Sequence, residues 1–123
     1  MKIPQGHQRM MPYLIVNNAE GLIDFLKAVF DAKENYKKMR DASTIMHAEL
    51  SVGDQTIMMA DSTKDWESQP AGLFIYVEDA DKTYEAALKK GATSIMPVSD
   101  EDYGRSGGVR DPFGNIWWIT SVK

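Results

Sequence analysis

His47 and Glu49 are the most chemically loaded pair in the sequence. They sit in the run Met46-His47-Ala48-Glu49-Leu50-Ser51-Val52, which reads as a strand. Two residues apart on a strand, they share one face with side-chain origins roughly 7 Å apart. An imidazole beside a carboxylate can act as a general base with its orienting partner. The pair can equally satisfy its own buried polarity, and Glu49 can bridge to Arg110 instead. As metal ligands the two fall short of the three protein donors that a catalytic metal generally takes. His7, in the segment ahead of the first strand, reads as a solvated histidine.

These side chains need a scaffold, and the sequence contains one twice. Tyr13-Leu14-Ile15-Val16-Asn17-Asn18-Ala19 is echoed 61 residues later by Phe74-Ile75-Tyr76-Val77-Glu78-Asp79-Ala80. Each is a short β-branched and aromatic run that leads into a capping residue and a helical period. Asn17 with Glu20 resembles a capping box, and Leu22, Ile23, Leu26, Val29 and Phe30 form an apolar stripe. Asp79 caps the second helix, whose stripe is Ala80, Tyr84, Ala87 and Leu88, with Lys89-Lys90-Gly91 ending it. Gly53 and Gly114, also 61 apart, sit in turns between strand-like runs. With extended segments at Lys33–Met39 and Thr93–Pro97, each half reads strand, helix, strand, strand, strand. The expectation is an α+β protein of two tandem βαβββ modules in a single domain, residues 1–123. Module one covers about 10–61 and module two about 71–121.

Composition narrows the function. The chain has 123 residues, no cysteine, 14 Lys+Arg against 18 Asp+Glu, and a net charge of -4. Thiolate zinc, disulfide frameworks and cysteine nucleophiles are excluded. The basic residues are dispersed, so no nucleic-acid partner is expected. No apolar run reaches the roughly 20 residues of a membrane span, and the first residues carry no secretory pattern, so the expected location is cytoplasmic. The segment Ser99–Gly108 combines three acids, Tyr103, Arg105 and three glycines. It is expected to be a mobile lid in which Tyr103 and Arg105 touch a ligand.

Several stretches resemble the glyoxalase / bleomycin-resistance / extradiol dioxygenase (vicinal oxygen chelate) superfamily, and its PhnB-like subgroup in particular. They are Pro12-Tyr13-Leu14-Ile15-Val16, Met46-His47-Ala48-Glu49-Leu50, Tyr103-Gly104-Arg105-Ser106-Gly107 and Arg110-Asp111-Pro112-Phe113-Gly114-Asn115-Ile116-Trp117. The resemblance implies that the two modules form a cupped mixed β-sheet, and that two chains form a homodimer that builds the pockets together. It also implies where a divalent metal would be held: a His or Gln early in each module's first strand and a Glu in each module's last strand. Those positions fall on Met11, Gly72, Ile57 and Trp118, none of which suits a hard or borderline divalent ion. No metal and no cofactor are therefore expected.

Strand alternation assigns the faces of such a cup. Met11, Tyr13 and Ile15 are expected inside it, with His47, Glu49 and Ser51, while Met46, Ala48, Leu50 and Val52 face the helices. Phe74, Tyr76, Arg110 and Trp118 are expected inside from the second half, joined by Met59 and Thr120. The 61-residue offset pairs Glu49 with Arg110 across the cup. An apolar, aromatic cavity with a few polar groups suits a small-molecule ligand. The reading that follows is a metal-independent small-molecule binding protein, with drug or metabolite sequestration as one role. The alternative is a lyase, isomerase or transferase that uses His47 and Glu49 as its catalytic pair.

Overall fold

A computed structural model describes all residues, Met1–Lys123. Module one runs β1 (Tyr13–Val16), α1 (Ala19–Phe30), β2 (Lys33–Met39), β3 (Ile45–Val52) and β4 (Gln55–Asp61). Module two repeats that order as β5 (Gly72–Tyr76), α2 (Ala80–Lys89), β6 (Thr93–Glu101), β7 (Gly104–Arg110) and β8 (Ile116–Val122). The strands form two four-stranded mixed sheets, ordered β1-β4-β3-β2 and β5-β8-β7-β6. In each, the first strand of the module runs parallel to the last, and the remaining pairs are antiparallel. The two βαβββ modules are thus as expected, the strands being shared between two separate sheets.

The helix ends follow local chemistry. Asn18, rather than Asn17, caps α1 by accepting from the Gly21 amide, and Asp79 caps α2 by accepting from Lys82. At the end of α2 the chain turns through Gly91 with φ +101°, and the Ala92 amide returns to the Ala87 carbonyl.

Helix and sheet faces meet in one core. Leu22, Ile23, Phe25, Leu26, Val29 and Phe30 of α1 share it with Leu14, Val16, Ala48, Leu50 and Met59 of the first sheet. Tyr84, Ala87, Val109, Trp117 and Ile119 belong to the same cluster, and Phe30 meets Trp117 at a ring-centroid distance of 4.9 Å. The two modules therefore share one core on the helix side, and the opposite face of each sheet is left for other uses.

The motif Asp111-Pro112-Phe113-Gly114-Asn115 is the keystone of module two. The Asp111 carboxylate is buried and accepts from the Phe113 and Asn115 amides, the Asn115 side chain and the Trp117 indole, at 2.8–3.1 Å through its closest contacts. Asn115 in turn accepts from the Ala71 amide at 3.2 Å and anchors the start of β5. One carboxylate thus shapes the turn, orients a core tryptophan and fixes the segment joining the modules. Asp61 does similar work in module one, accepting from the Ala19 amide at 2.8 Å and the Ile45 amide at 2.6 Å.

That turn also changes the arithmetic of the repeat. Val52 pairs with Gln55 across the two-residue turn Gly53-Asp54, whereas Arg110 pairs with Ile116 across five residues. The first strands stay 61 residues apart, since Tyr13 pairs with Met58 as Phe74 pairs with Trp118. Trp118 is accordingly matched by Met58, and its partner Gly108 is matched by Glu49. Three expectations change in consequence. Met59 lies on the helix side, fully buried and beside Leu14 and Ala48, because its parity follows the shorter turn. Arg110 does not face Glu49, and no bond joins them. The position that carries Trp118 in module two carries Met58, not Ile57, in module one.

Met46 is also displaced from its expected place. Lys38 pairs with His47 and Met39 with Ile45, so Met46 is the extra residue of a bulge and points outward while Ile45 fills the core.

Replacing Asp111 by Ala is expected to destabilise the fold by about 3 kcal/mol, because it strands buried donors on Asn115 and Trp117. Urea unfolding followed by far-UV dichroism measures this.

Candidate functional site on the two open sheet faces

On the open face of the first sheet, four polar side chains form one continuous chain. The Tyr13 hydroxyl lies 3.0 Å from His47 Nδ1, and His47 Nε2 lies 2.8 Å from Glu49 Oε2. The other carboxylate oxygen, Oε1, meets His7 Nε2 at 2.6 Å. Strand pairing accounts for most of this. Tyr13 and Glu49 both pair with Met58, one from each side of β4, and His47 stands two residues along β3 from Glu49. His47 and Glu49, expected as a pair, are so brought together, and Tyr13 joins them.

His7 was not anticipated as a member. It arrives on an N-terminal segment pinned over the same sheet. The Gln8 side chain donates to the Thr56 carbonyl at 2.8 Å and accepts from the Thr56 amide at 3.0 Å, and the Thr56 hydroxyl donates to the Gly6 carbonyl. A turn at Pro4–His7, with Gly6 at φ +88°, points the imidazole at the sheet. Nothing in the local sequence signals a contact across 42 residues.

The proton arrangement follows from charge. Hydrogen bonds from His7 and then His47 hold the Glu49 carboxyl below the usual carboxylate range, against the opposing effect of its burial. An ionised carboxylate only accepts, so both Nε2 atoms carry hydrogen. With the His47 imidazole neutral, Nδ1 is then a bare lone pair and the Tyr13 hydroxyl donates to it.

The open face of the second sheet is aromatic instead. Phe74, Tyr76 and Tyr103 are all at least half exposed, with Phe74 5.2 Å from Tyr76 and 6.2 Å from Tyr103 between ring centroids. Trp118 lies against Gly108. A Cβ at that glycine would stand 2.5 Å from the indole ring, so only glycine lets the ring settle there. Beneath this group the Ser106 and Thr120 hydroxyls bond each other at 2.8 Å. Arg110 is exposed at the end of β7, on the face that Gly108 and Trp118 share. Met11 lines a groove of about 1390 Å³ along the free edge of β5 together with Phe74 and Tyr76.

The segment expected as a lid is an ordered hairpin. β6 and β7 pair from Thr93–Arg110 down to Glu101–Gly104, which leaves only Asp102 and Tyr103 as the turn. Arg105 points away from the aromatic group and makes a two-pronged pair with Asp81 of α2 at 2.6 and 3.0 Å, plus a contact with Asp100 at 3.1 Å. The guanidinium is therefore engaged in fastening the hairpin to the helix. Tyr103, at the tip, is the member of that segment that reaches the aromatic face.

The residues at the family-implied metal positions do not fit a divalent ion. Met11, Gly72, Met58 and Trp118 offer thioethers, an indole or nothing, and no group of three His, Asp or Glu side chains is arranged to hold a metal. No helix is long and apolar enough to cross a membrane.

The Glu49 arrangement carries a pH signature. Because the folded carboxyl titrates below its unfolded value, near 4.3, the unfolded chain binds more protons in that window. The stability contributed by Glu49 is fully present above about pH 4.3 and drains as pH falls through the lower folded value. Glu49→Gln is expected to flatten this part of the acid limb, as read by thermal unfolding between pH 3 and 6.

Known proteins share this architecture. The sequence pattern of the Glyoxalase/Bleomycin resistance protein/Dioxygenase superfamily matches residues 7–119. An uncharacterized protein of Mycobacterium bovis is 30% identical over 120 residues, covering 88% of this chain and 79% of that protein. Among solved structures, TioX from Micromonospora sp. ML1 superposes with a TM-score of 0.78 at 21% identity, covering 94% of this chain and 99% of that one. The PhnB protein of Bacillus cereus gives 0.77 at 21%, covering 94% and 100%. The fosfomycin resistance protein FosX of Mesorhizobium loti gives 0.70 at 22%, covering 98% and 95%. With its repeat, its sheet order and this match over most of its length, the chain belongs to the glyoxalase/bleomycin resistance protein/dioxygenase superfamily.

Proposed function

We propose that this protein binds a small, planar aromatic molecule bearing a cationic or hydrogen-bond-donating group, and that it does so without a metal. The observation that carries the reading is the aromatic face of module two. An indole laid against Gly108 beside Phe74, Tyr76 and Tyr103 is a stacking surface that the fold does not consume in its own core. Ionised Glu49 on module one, held between His7 and His47, supplies a negative charge that favours a cationic group. The fosfomycin resistance proteins among the structural neighbours add modest support for a small molecule over a macromolecule.

The two surfaces sit on different sheets, each turned away from the shared core, and no hydrogen bond or ring contact joins them within one chain. A homodimer that sets module one of one copy against module two of the other completes the site. The corresponding role is sequestration in the cytoplasm, and neither a nucleic-acid nor a membrane partner is expected from the acidic, dispersed charge. A second reading, proton-transfer chemistry at His47 and Glu49, is favoured by the continuous chain from Tyr13 to His7.

Calorimetric titration with bleomycin and with planar aromatic cations is expected to show binding. Trp118→Ala should weaken it on the order of tenfold, the equivalent of one stacked cation–π contact. Glu49→Gln should weaken binding of the cations and leave that of neutral isosteres unchanged. Absence of binding to every aromatic compound would leave an inert, filled cup as the better account. Light scattering is expected to report a dimer. Metal analysis of untagged protein should find no stoichiometric Ni, Zn, Mn or Fe, and any such metal overturns the metal-free reading.

A further inference from the structure

We propose that Tyr13 is an activated nucleophile, with His47 as its general base and Glu49 as the group that orients and supports that base. Its substrates are small acyl-type electrophiles that reach the open face of the first sheet. This goes beyond ligand binding and does not depend on the ligand's identity.

The geometry is that of a carboxylate, an imidazole and a hydroxyl in series. Glu49 Oε2 accepts from His47 Nε2 at 2.8 Å, and His47 Nδ1 stands 3.0 Å from the Tyr13 hydroxyl. A base within hydrogen-bond reach of a hydroxyl, itself fixed by a third group, is the arrangement by which weak hydroxyl nucleophiles are activated. His7 completes it from behind. By donating to Glu49 Oε1 it occupies the second oxygen, so the carboxylate cannot swing away from His47. Tyr13 is 48% exposed in the single chain, so small molecules can reach its side chain.

The reaction is balanced without any further reagent. The Tyr13 oxygen forms a bond to the electrophilic centre, the leaving group takes the electron pair of its broken bond and departs into solvent as an anion, and the phenolic proton passes to His47 Nδ1. The imidazolium lies against the Glu49 carboxylate and then returns its proton to water.

The protein contains its own reference. Tyr36 is 49% exposed and its ring centroid is 6.0 Å from that of His47, yet its hydroxyl has no hydrogen bond to a base. Exposure and neighbourhood are matched, and only the relay differs.

The test is competitive labelling of the full chain with phenylmethanesulfonyl fluoride at pH 7.5, read by peptide mass spectrometry. Sulfonylation releases fluoride and leaves a stable aryl sulfonate, so each tyrosine is counted once. Tyr13 is expected to react on the order of a hundredfold faster than Tyr36, the usual scale of general-base assistance. His47→Ala should bring the ratio to about one. Added imidazole should raise it again relative to Tyr36, an outcome that a purely structural role for His47 would not produce. Glu49→Gln, which keeps an acceptor for His47 but removes the charge, should give an intermediate ratio. Equal labelling of Tyr13 and Tyr36 in the unmodified protein overturns the proposal, and so does a ratio that survives His47→Ala in a variant with an unchanged melting curve.

Discussion

Both sheets bury one face against a single apolar core that the two helices share, and the rest of the molecule is arranged around that commitment. Side chains on a strand alternate, so each residue that fills the core obliges its neighbours to face the other way. Leu14 and Val16 inward put Tyr13 outward, and Ala48 and Leu50 inward put His47 and Glu49 outward. Trp117 and Ile119 inward put Trp118 outward. The polar chain and the aromatic face are what remains once the core has taken its alternate positions.

The two modules use the same scaffold for opposite chemistry. Where β7 has Gly108, β3 has Glu49, and where β8 has Trp118, β4 has Met58. The glycine permits a large flat ring to lie on the sheet, and the glutamate collects two imidazoles above it. A duplicated fold therefore presents one stacking surface and one hydrogen-bonding surface. Asp111 stabilises this division, since its contacts position both the turn and the Trp117 ring directly ahead of Trp118.

Much of the architecture was legible because it depends on local signals. The echo of Tyr13–Ala19 in Phe74–Ala80, the stripe of α1, the Asp79 cap and the Gly91 stop each arise from interactions within a few residues. The departures from expectation have separate physical causes. A constant offset of 61 ignored the longer turn at Asp111–Asn115: Gly108 and Trp118 stand ten positions apart where Glu49 and Met58 stand nine, and that one residue shifts strand parity. Met59 moved to the core for that reason, whereas Arg110 moved away from Glu49 because two fewer residues separate β5 from β7 than β1 from β3, so that Gly108 answers to Glu49. Met46 was displaced by a bulge that leaves no mark in hydrophobic alternation. The Ser99–Gly108 segment resembled a loop because glycine and acid composition outweighed its pairing, which is stabilised by Arg105 on Asp81, 24 residues away.

The sequence by itself determined the two βαβββ modules, the absence of thiol chemistry, the misfit of the family's metal positions and the pairing of His47 with Glu49. These depend on residue type, short-range period and a resemblance spread over most of the chain. Tertiary structure alone decided that His7 closes on Glu49, that Trp118 rests on Gly108 and that Arg105 fastens a hairpin. It also decided that the polar chain and the aromatic face lie on the open faces of two separate sheets. Each of these is a contact between residues distant in sequence, or a consequence of strand register. Such relations are set by how the sheets pair and pack, and no local pattern of residue types encodes them.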